Sequence, residues 1–363
     1  VGFLRGRRSS NEASMKYLLL GAFATGFLLY GIALIYGSTG TTNLREIELA
    51  LTQGRVNGHV TLLSGVALLM VGLAFKVGAA PFHMWAPDTY EGAPLPVTAY
   101  LAIASKTAAF ALLIRLVGEG MVPAAARWEQ WQIIIAGMAA ITMVVGNLVA
   151  LAQSNIKRLM AYSSIGHAGF VLAGVAALST NSVLAANGVI FYLVAYSVTN
   201  MVVFSALISY FNMTGQEEIS DLAGLADRQP FLAASIAIGL FSLAGLPIFA
   251  GFTAKFYLFT AVANGGFLWL AVLAIFSSLI SLYYYLQVIR QMYIQPAPAA
   301  FETSHGSDHH QHDPVEIVTL GRPSMLILTV LVLGLVAVLW LGVYPAPLLD
   351  LIEAASRSII QGE

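Results

Sequence analysis

The stretch of sequence that decides the fold lies between Arg158 and Glu217 and reads LMAYSSIGHAGFVLAGVAALSTNSVLAANGVIFYLVAYSVTNMVVFSALISYFNMTGQ. These 58 residues contain no Asp, Glu, Lys or Arg. A helix needs about 20 largely apolar residues to cross a bilayer, so this stretch is long enough for two crossings. The polar cluster from Ser179 to Ser182 marks the turn between them.

The rest of the chain has the same character. Of its 363 residues, 58% are hydrophobic and 10% are charged, whereas soluble domains carry roughly 25% charged residues. The net charge of -1 gives no basic surface for a nucleic acid, and the absence of cysteine excludes disulfide scaffolds, thiolate zinc sites and iron–sulfur clusters. The composition therefore indicates an all-α polytopic membrane protein whose surroundings are the lipid bilayer.

Uncharged runs divide the chain into about nine transmembrane helices. The predicted spans are 14–37, 60–86, 96–118, 131–152, 158–179, 184–211, 231–262, 265–293 and 324–344. Ser10 or Asn11 is predicted to cap the first helix. The polar connection 294–323 contains HGSDHHQHD, for which a solvated loop is a better account than a metal site.

Basic residues in the short loops give the orientation. The side of the N-terminal loop receives nine of them, and the other side receives five, Arg45, Arg55, Arg115, Arg127 and Arg357. The nine are Arg5, Arg7, Arg8, Lys16, Lys157, Arg158, Arg228, Arg290 and Arg322. The positive-inside rule then predicts a cytoplasmic N-terminal loop and, with nine spans, a C-terminus outside.

Three lysines fall inside predicted spans, namely Lys76, Lys106 and Lys255, whereas every Asp and Glu lies in a loop, at a helix end or in the tail. Lys106 is about ten residues into its span, or roughly 15 Å deep. A charge at such depth costs about 2.5–3.5 kcal/mol on insertion scales. Because desolvation disfavours the charged amine, a buried lysine exchanges protons readily, and we interpret the three as proton carriers.

Two of these lysines lie close to residues that break helices. Lys76 precedes Pro81, and Lys255 follows Pro247. Proline removes a backbone donor and frees a carbonyl, so both spans are predicted to be discontinuous at membrane depth. In transporters, paired broken helices mark an ion pathway and repeated halves.

Polar side chains supply candidates for a hydrated connection between the lysines. Tyr192, Tyr196 and Asn200 recur on one helical face. Ordinary interhelical hydrogen bonding is the alternative for each of them. Glu12 and Lys16 are spaced to pair on one helix, as a tuning group or a simple interfacial ion pair. The remaining candidates are Tyr162, Ser163, His167 and His83.

Four segments resemble the antiporter-like membrane subunits of respiratory complex I, and most of all the N type, counted as subunit 2 in mitochondria. They are SNEASMKYLLLGAFATGFLLYG, GLAFKVGAAPFHMWAPDTYEGAPLPVTAYLAIASK, QSNIKRLMAYSSIGHAGF and GLPIFAGFTAKFYLF. The resemblance implies a fourteen-helix fold with two inverted repeats and two discontinuous helices, of which this chain carries helices six to fourteen. The implied divisions are 1–118 for three helices of the first repeat, 119–293 for the second repeat, 294–323 for the loop and 324–363 for the last helix and tail.

The resemblance also implies roles. Lys76 would be a switching base paired with a glutamate upstream of Val1, Lys106 the central relay and Lys255 the exit-side donor. This chain would bind no cofactor, whereas its complex would use NADH, FMN, iron–sulfur clusters and a quinone. Its partners would be neighbouring antiporter-like and small helical subunits. A subunit of a multisubunit cation/proton antiporter and a purely structural membrane-arm subunit are the alternatives.

Overall fold

The fold is built from α-helices. The computed structural model describes residues 1–4, 6–122, 125–179, 183–296 and 323–360. The helices are α1 (Arg8–Thr39), α2 (Leu44–Thr52), α3 (His59–Val77), α4 (Trp85–Gly92), α5 (Leu95–Tyr100), α6 (Lys106–Gly120), α7 (Ala125–Ala150), α8 (Ile156–Ala176), α9 (Leu184–Thr214), α10 (Leu225–Arg228), α11 (Pro230–Ala244), α12 (Ala250–Asn264), α13 (Leu268–Tyr293), α14 (Met325–Val343) and α15 (Ala346–Ile360). A π-helical turn, Leu101–Ser105, joins α5 to α6.

Eight segments of the described chain are long and apolar enough to cross a membrane. The all-α, multi-pass prediction is confirmed. One predicted span, 231–262, is not a single helix, because it consists of α11 and α12, each of 15 residues. The predicted span 60–86 likewise ends early, at Val77, and the chain resumes helical structure in α4 at Trp85.

Both helix breaks begin at a glycine in the left-handed backbone region. Gly78 follows α3 with φ 76°, and Gly245 follows α11 with φ 88°. Glycine adopts this conformation without the clash that a Cβ would cause, so it ends a helix readily. The predicted discontinuities near Pro81 and Pro247 are therefore present, and each directly follows a left-handed glycine.

The start of the first helix differs from the prediction. The helix begins at Arg8, and its N-cap residue, Arg7, makes no side-chain capping bond. The Ser10 hydroxyl donates instead to the Val1 carbonyl oxygen over 3.2 Å. Ser10 is already inside the helix and faces the preceding segment, so it does not cap.

Helix α8 is the most deeply buried of the membrane-crossing helices that the structure describes. Glycines allow α7 to lie directly against it: a Cβ on Gly146 would lie 2.4 Å from the Gly166 nitrogen, and one on Gly169 would lie 2.7 Å from the Met143 nitrogen. Small residues permit such close approach of membrane helices. The polar side chains of α8 are thereby placed in the middle of the bundle.

Charged groups gather at one end of the bundle and join α1, α4, α8 and the segment after α9. The Asp88 carboxylate is 2.7 Å from the Lys16 amine and 2.9 Å from the Arg158 guanidinium. Glu217 lies 2.9 Å from the Lys157 amine and 3.5 Å from Arg7. The described basic residues of this group are among those that the sequence assigns to a single side of the membrane.

Candidate functional site

Lys106 is the first residue of α6 and lies in the interior with 3% of its surface exposed. Its amine donates to the Ser164 hydroxyl oxygen over 2.8 Å and to the Ser164 carbonyl oxygen over 3.0 Å. The same amine is 3.6 Å from the position that a Cβ on Gly78 would occupy. The break after α3 therefore adjoins the Lys106 amine.

Lys255, on α12, is buried with 5% exposure. Its amine donates to the Ala244 carbonyl oxygen over 2.9 Å and to the Ser278 hydroxyl over 2.7 Å, and it lies 5.4 Å from the centre of the Phe170 ring. Ala244 is the last residue of α11. Because the final carbonyls of a helix have no intrahelical donor, the break after α11 itself supplies an acceptor for this amine.

His167 lies one helical turn after Ser164 on α8 and is also buried. Its Nδ1 atom is 2.5 Å from the Tyr192 hydroxyl, and its Nε2 atom is 3.2 Å from the Tyr285 hydroxyl. Tyr285 is in turn hydrogen-bonded to Ser163. The imidazole is thus held on both nitrogens by tyrosines from two different helices, α9 and α13.

A small cavity of about 10 Å³ lies between His167 and Lys255, close to the size that one water molecule needs. Tyr196, Thr199 and Ser242 also line it. The Tyr196 hydroxyl is buried and has no hydrogen-bond partner in the described chain.

The expectation that Lys76 is buried is wrong for the described chain, because its side chain is exposed. It lines a groove of about 1060 Å³ together with Tyr17, Thr25 and Ser105. The sequence places it inside a predicted span, but position within a span does not specify which neighbours cover a side chain. The structure places Lys106 beside Ser164 of α8, and His167 of the same helix beside the cavity that Lys255 lines, whereas Lys76 lines a separate groove.

The other predicted residues differ in their burial and in their contacts. Asn200 is buried beside Tyr196 and donates to its carbonyl oxygen over 2.8 Å, and Glu12 pairs with Lys16 at 2.6 Å as predicted. Tyr162 and His83 are half-buried. The His83 Nδ1 atom is buried without a hydrogen-bond partner among the described residues, and the structure does not join it to Lys106 or Lys255.

Three residues of the site were not predicted: Ser164, Ser278 and Tyr285. Ser164 lies within the QSNIKRLMAYSSIGHAGF segment, next to the Ser163 that was selected. Tyr285 is 118 residues from His167, and no spacing rule connects positions so far apart. The stretch HGSDHHQHD lies outside the described residues; among the residues that are described, no group of three or more His, Asp or Glu could hold a metal.

The chain was compared with known proteins. A family model described as NADH:quinone oxidoreductase/Mrp antiporter, transmembrane, matches residues 1–281. The chain belongs to this family. It is 42% identical over 361 residues to NADH-quinone oxidoreductase subunit N 2 of Roseiflexus castenholzii, a match that covers 97% of this chain and 68% of that protein. The resemblance drawn from the four sequence segments is confirmed.

Solved structures of the family have the same fold. A chain of respiratory complex I from Thermus thermophilus with bound aureothin superposes with a TM-score of 0.75 at 33% identity, covering 95% of this chain and 70% of that chain. A chain of the archaeal membrane-bound sulfane sulfur reductase gives a TM-score of 0.84 at 28% identity, covering 99% and 68%. The described helices therefore have the antiporter-like arrangement of these respiratory membrane complexes.

Proposed function

We propose that this chain is a proton-translocating membrane subunit of an NADH:quinone oxidoreductase and that Lys106, His167 and Lys255 carry the proton. Its homologues are named as subunit N of that enzyme. The proposal rests above all on one observation: two buried amines lie next to α8, Lys106 hydrogen-bonded to Ser164 and Lys255 sharing a small cavity with His167, and their described hydrogen-bond partners are all uncharged.

An amine in such surroundings is suited to taking up and releasing a proton. A nearby carboxylate would favour its charged form, whereas hydroxyl and carbonyl oxygens accept its N–H groups at a smaller electrostatic gain. Lys106 transfers its proton towards α8, the helix on which His167 lies one turn after Ser164. His167 then faces Lys255 across the cavity that has room for one water.

The surrounding complex supplies the energy. NADH, FMN, iron–sulfur clusters and the quinone belong to partner subunits, and the sequence contains no cysteine to ligate a cluster. Its partners are the neighbouring membrane subunits and the lipid bilayer. The end of the bundle with Asp88, Arg158 and Glu217 faces the cytoplasm, and the C-terminus lies on the opposite side. Lys76 acts beside the first break as the switching base.

Replacement of Lys106 by alanine tests the proposal. In inverted membrane vesicles, Lys106→Ala should assemble normally but lose most NADH-driven proton uptake, because no titratable group remains at this point. Arg115→Ala is the matched control, since it also removes a cation from α6 but at an exposed position paired with Glu119. Normal proton uptake by Lys106→Ala would refute the proposed role.

A further inference from the structure

Tyr285 is fully buried on α13 and contacts two polar side chains of α8 at once. Its hydroxyl lies 3.2 Å from His167 Nε2 and is also hydrogen-bonded to the Ser163 hydroxyl. We infer that Tyr285 is a positioning residue for proton transfer, whose hydroxyl accepts the second N–H of His167 whenever the imidazole is protonated. This inference rests on the proposed function, because it gives His167 a protonated state during turnover.

The hydrogen-bond requirements of imidazole carry the argument. A neutral imidazole has one N–H donor and one bare nitrogen acceptor, whereas the protonated ring has two donors. Tyr192 faces Nδ1 and Tyr285 faces Nε2. Each phenol hydroxyl both donates and accepts, so both neutral tautomers and the protonated ring are satisfied by rotation of hydroxyl hydrogens alone.

Ser163 completes the arrangement. When His167 is protonated, the Tyr285 oxygen accepts from Nε2–H and its own hydrogen is donated to Ser163. When Nε2 is bare, the direction reverses, so that Ser163 donates to Tyr285 and Tyr285 donates to His167. The hydrogen bonds from Ser163 through Tyr285 to His167 can therefore run in either direction, and the protonation state of the ring determines which direction they take.

Several other titratable groups face the same interior region from the helices packed around α8. They are Lys106 of α6, Lys255 of α12, Tyr192 and Tyr196 of α9, Tyr284 of α13 and Tyr90 of α4. Of these, Tyr192 is the one hydrogen-bonded to the imidazole in the described structure. It occupies Nδ1, so it cannot replace Tyr285 at Nε2.

Tyr285→Phe, compared with Tyr284→Phe in the assembled complex, tests the inference. The two tyrosines are adjacent and buried, but the Tyr284 hydroxyl donates to Asn147 Oδ1 over 3.0 Å and not to His167. Tyr285→Phe removes the acceptor of the protonated ring while leaving the aromatic volume in place. The pH profile of NADH-driven proton pumping should therefore move to lower pH by about one unit. Tyr284→Phe should move the profile much less, because its hydroxyl lies near Tyr285 and Ser163 but is not hydrogen-bonded to the imidazole in the described structure.

Ser163→Ala provides a second variant without a change at the aromatic ring. It should move the pH profile of proton pumping in the same direction but less. The Tyr285 oxygen still accepts from His167, and only the Ser163 oxygen that accepts the Tyr285 hydroxyl hydrogen is lost. Coincident profiles for Tyr285→Phe and Tyr284→Phe, with both complexes assembled, would overturn the inference. If Lys106→Ala also pumped normally, the proposed function itself would fail, so the two failures are distinguishable.

Discussion

The Lys106 amine on α6 and the Ser164 hydroxyl on α8 lie 2.8 Å apart in the interior of the bundle. The same serine also binds the amine through its backbone carbonyl oxygen, and its hydroxyl donates to the Ala161 carbonyl over 2.7 Å. The hydroxyl is thus oriented so that its oxygen is free to accept from the lysine. A single residue of α8 thereby connects that helix to α6.

Ser164→Ala should weaken proton pumping without loss of the complex. A hydrogen bond to a charged group contributes about 1.5–3 kcal/mol, so the protonated amine becomes harder to form and the rate should fall roughly tenfold. Ser235→Ala is the matched control, because Ser235 is also buried but its hydroxyl donates only within its own helix, to Phe231 over 2.8 Å. Equal rates for the two variants, measured as NADH-driven proton uptake, would contradict a role for Ser164.

Gly245→Ala should displace Lys255. A Cβ at Gly245 would lie 2.9 Å from Lys255 Cδ and 3.4 Å from its amine nitrogen, and φ there is +88°. Gly266 offers a control with the same backbone strain, since φ is +89° and nothing lies within 4 Å of its Cβ position. The left-handed backbone costs a non-glycine residue about 1–2 kcal/mol.

Proton uptake by the two glycine variants separates the contributions of strain and displacement. Gly266→Ala should lower stability slightly and pump normally. Gly245→Ala should pump several-fold more slowly at the same amount of assembled complex. If both variants pump at the rate of the original protein, proton transfer does not depend on the position of Lys255 beside the break.

The sequence predicts the architecture well because the bilayer constrains it strongly. Uncharged runs, together with Pro81 and Pro247, identify the crossings and both breaks. Tertiary neighbours are not encoded in such runs. Lys76, like Lys106, falls inside a predicted span, yet it is exposed among the described residues. Tyr285 shares an apolar helix with several other tyrosines, and only the packing of α13 against α8 distinguishes it.

Asp88 shows how the charged end of the bundle contributes to stability. Burial alone would raise the pKa of its carboxyl, but ion pairs with Lys16 and Arg158 outweigh burial and hold this pKa below its ordinary value. A lowered carboxyl pKa stabilises the folded state fully above the unfolded value of about 3.9, and this stabilisation disappears as the pH falls through the folded pKa.

Asp88→Asn should therefore lower the free energy of unfolding at pH 7 by about 1 kcal/mol, a value reduced because these side chains are partly exposed. Thermal unfolding of the purified complex measures the difference, which should stay constant between about pH 5 and 8 and decrease progressively as the pH falls below about 4. Glu353→Gln is the control, since Glu353 pairs with Arg357 at an exposed position. A difference that grew on acidification would contradict this explanation.

The most direct test of the relay through His167 is the number of protons pumped per NADH oxidised by His167→Gln and by His83→Gln in the assembled complex. Glutamine retains hydrogen bonding but has no titratable proton. His167 lies between Lys106 and Lys255, whereas His83 is not joined to either of them in the structure. We expect a lowered ratio for His167→Gln and an unchanged ratio for His83→Gln. An unchanged ratio for His167→Gln would contradict the relay through His167.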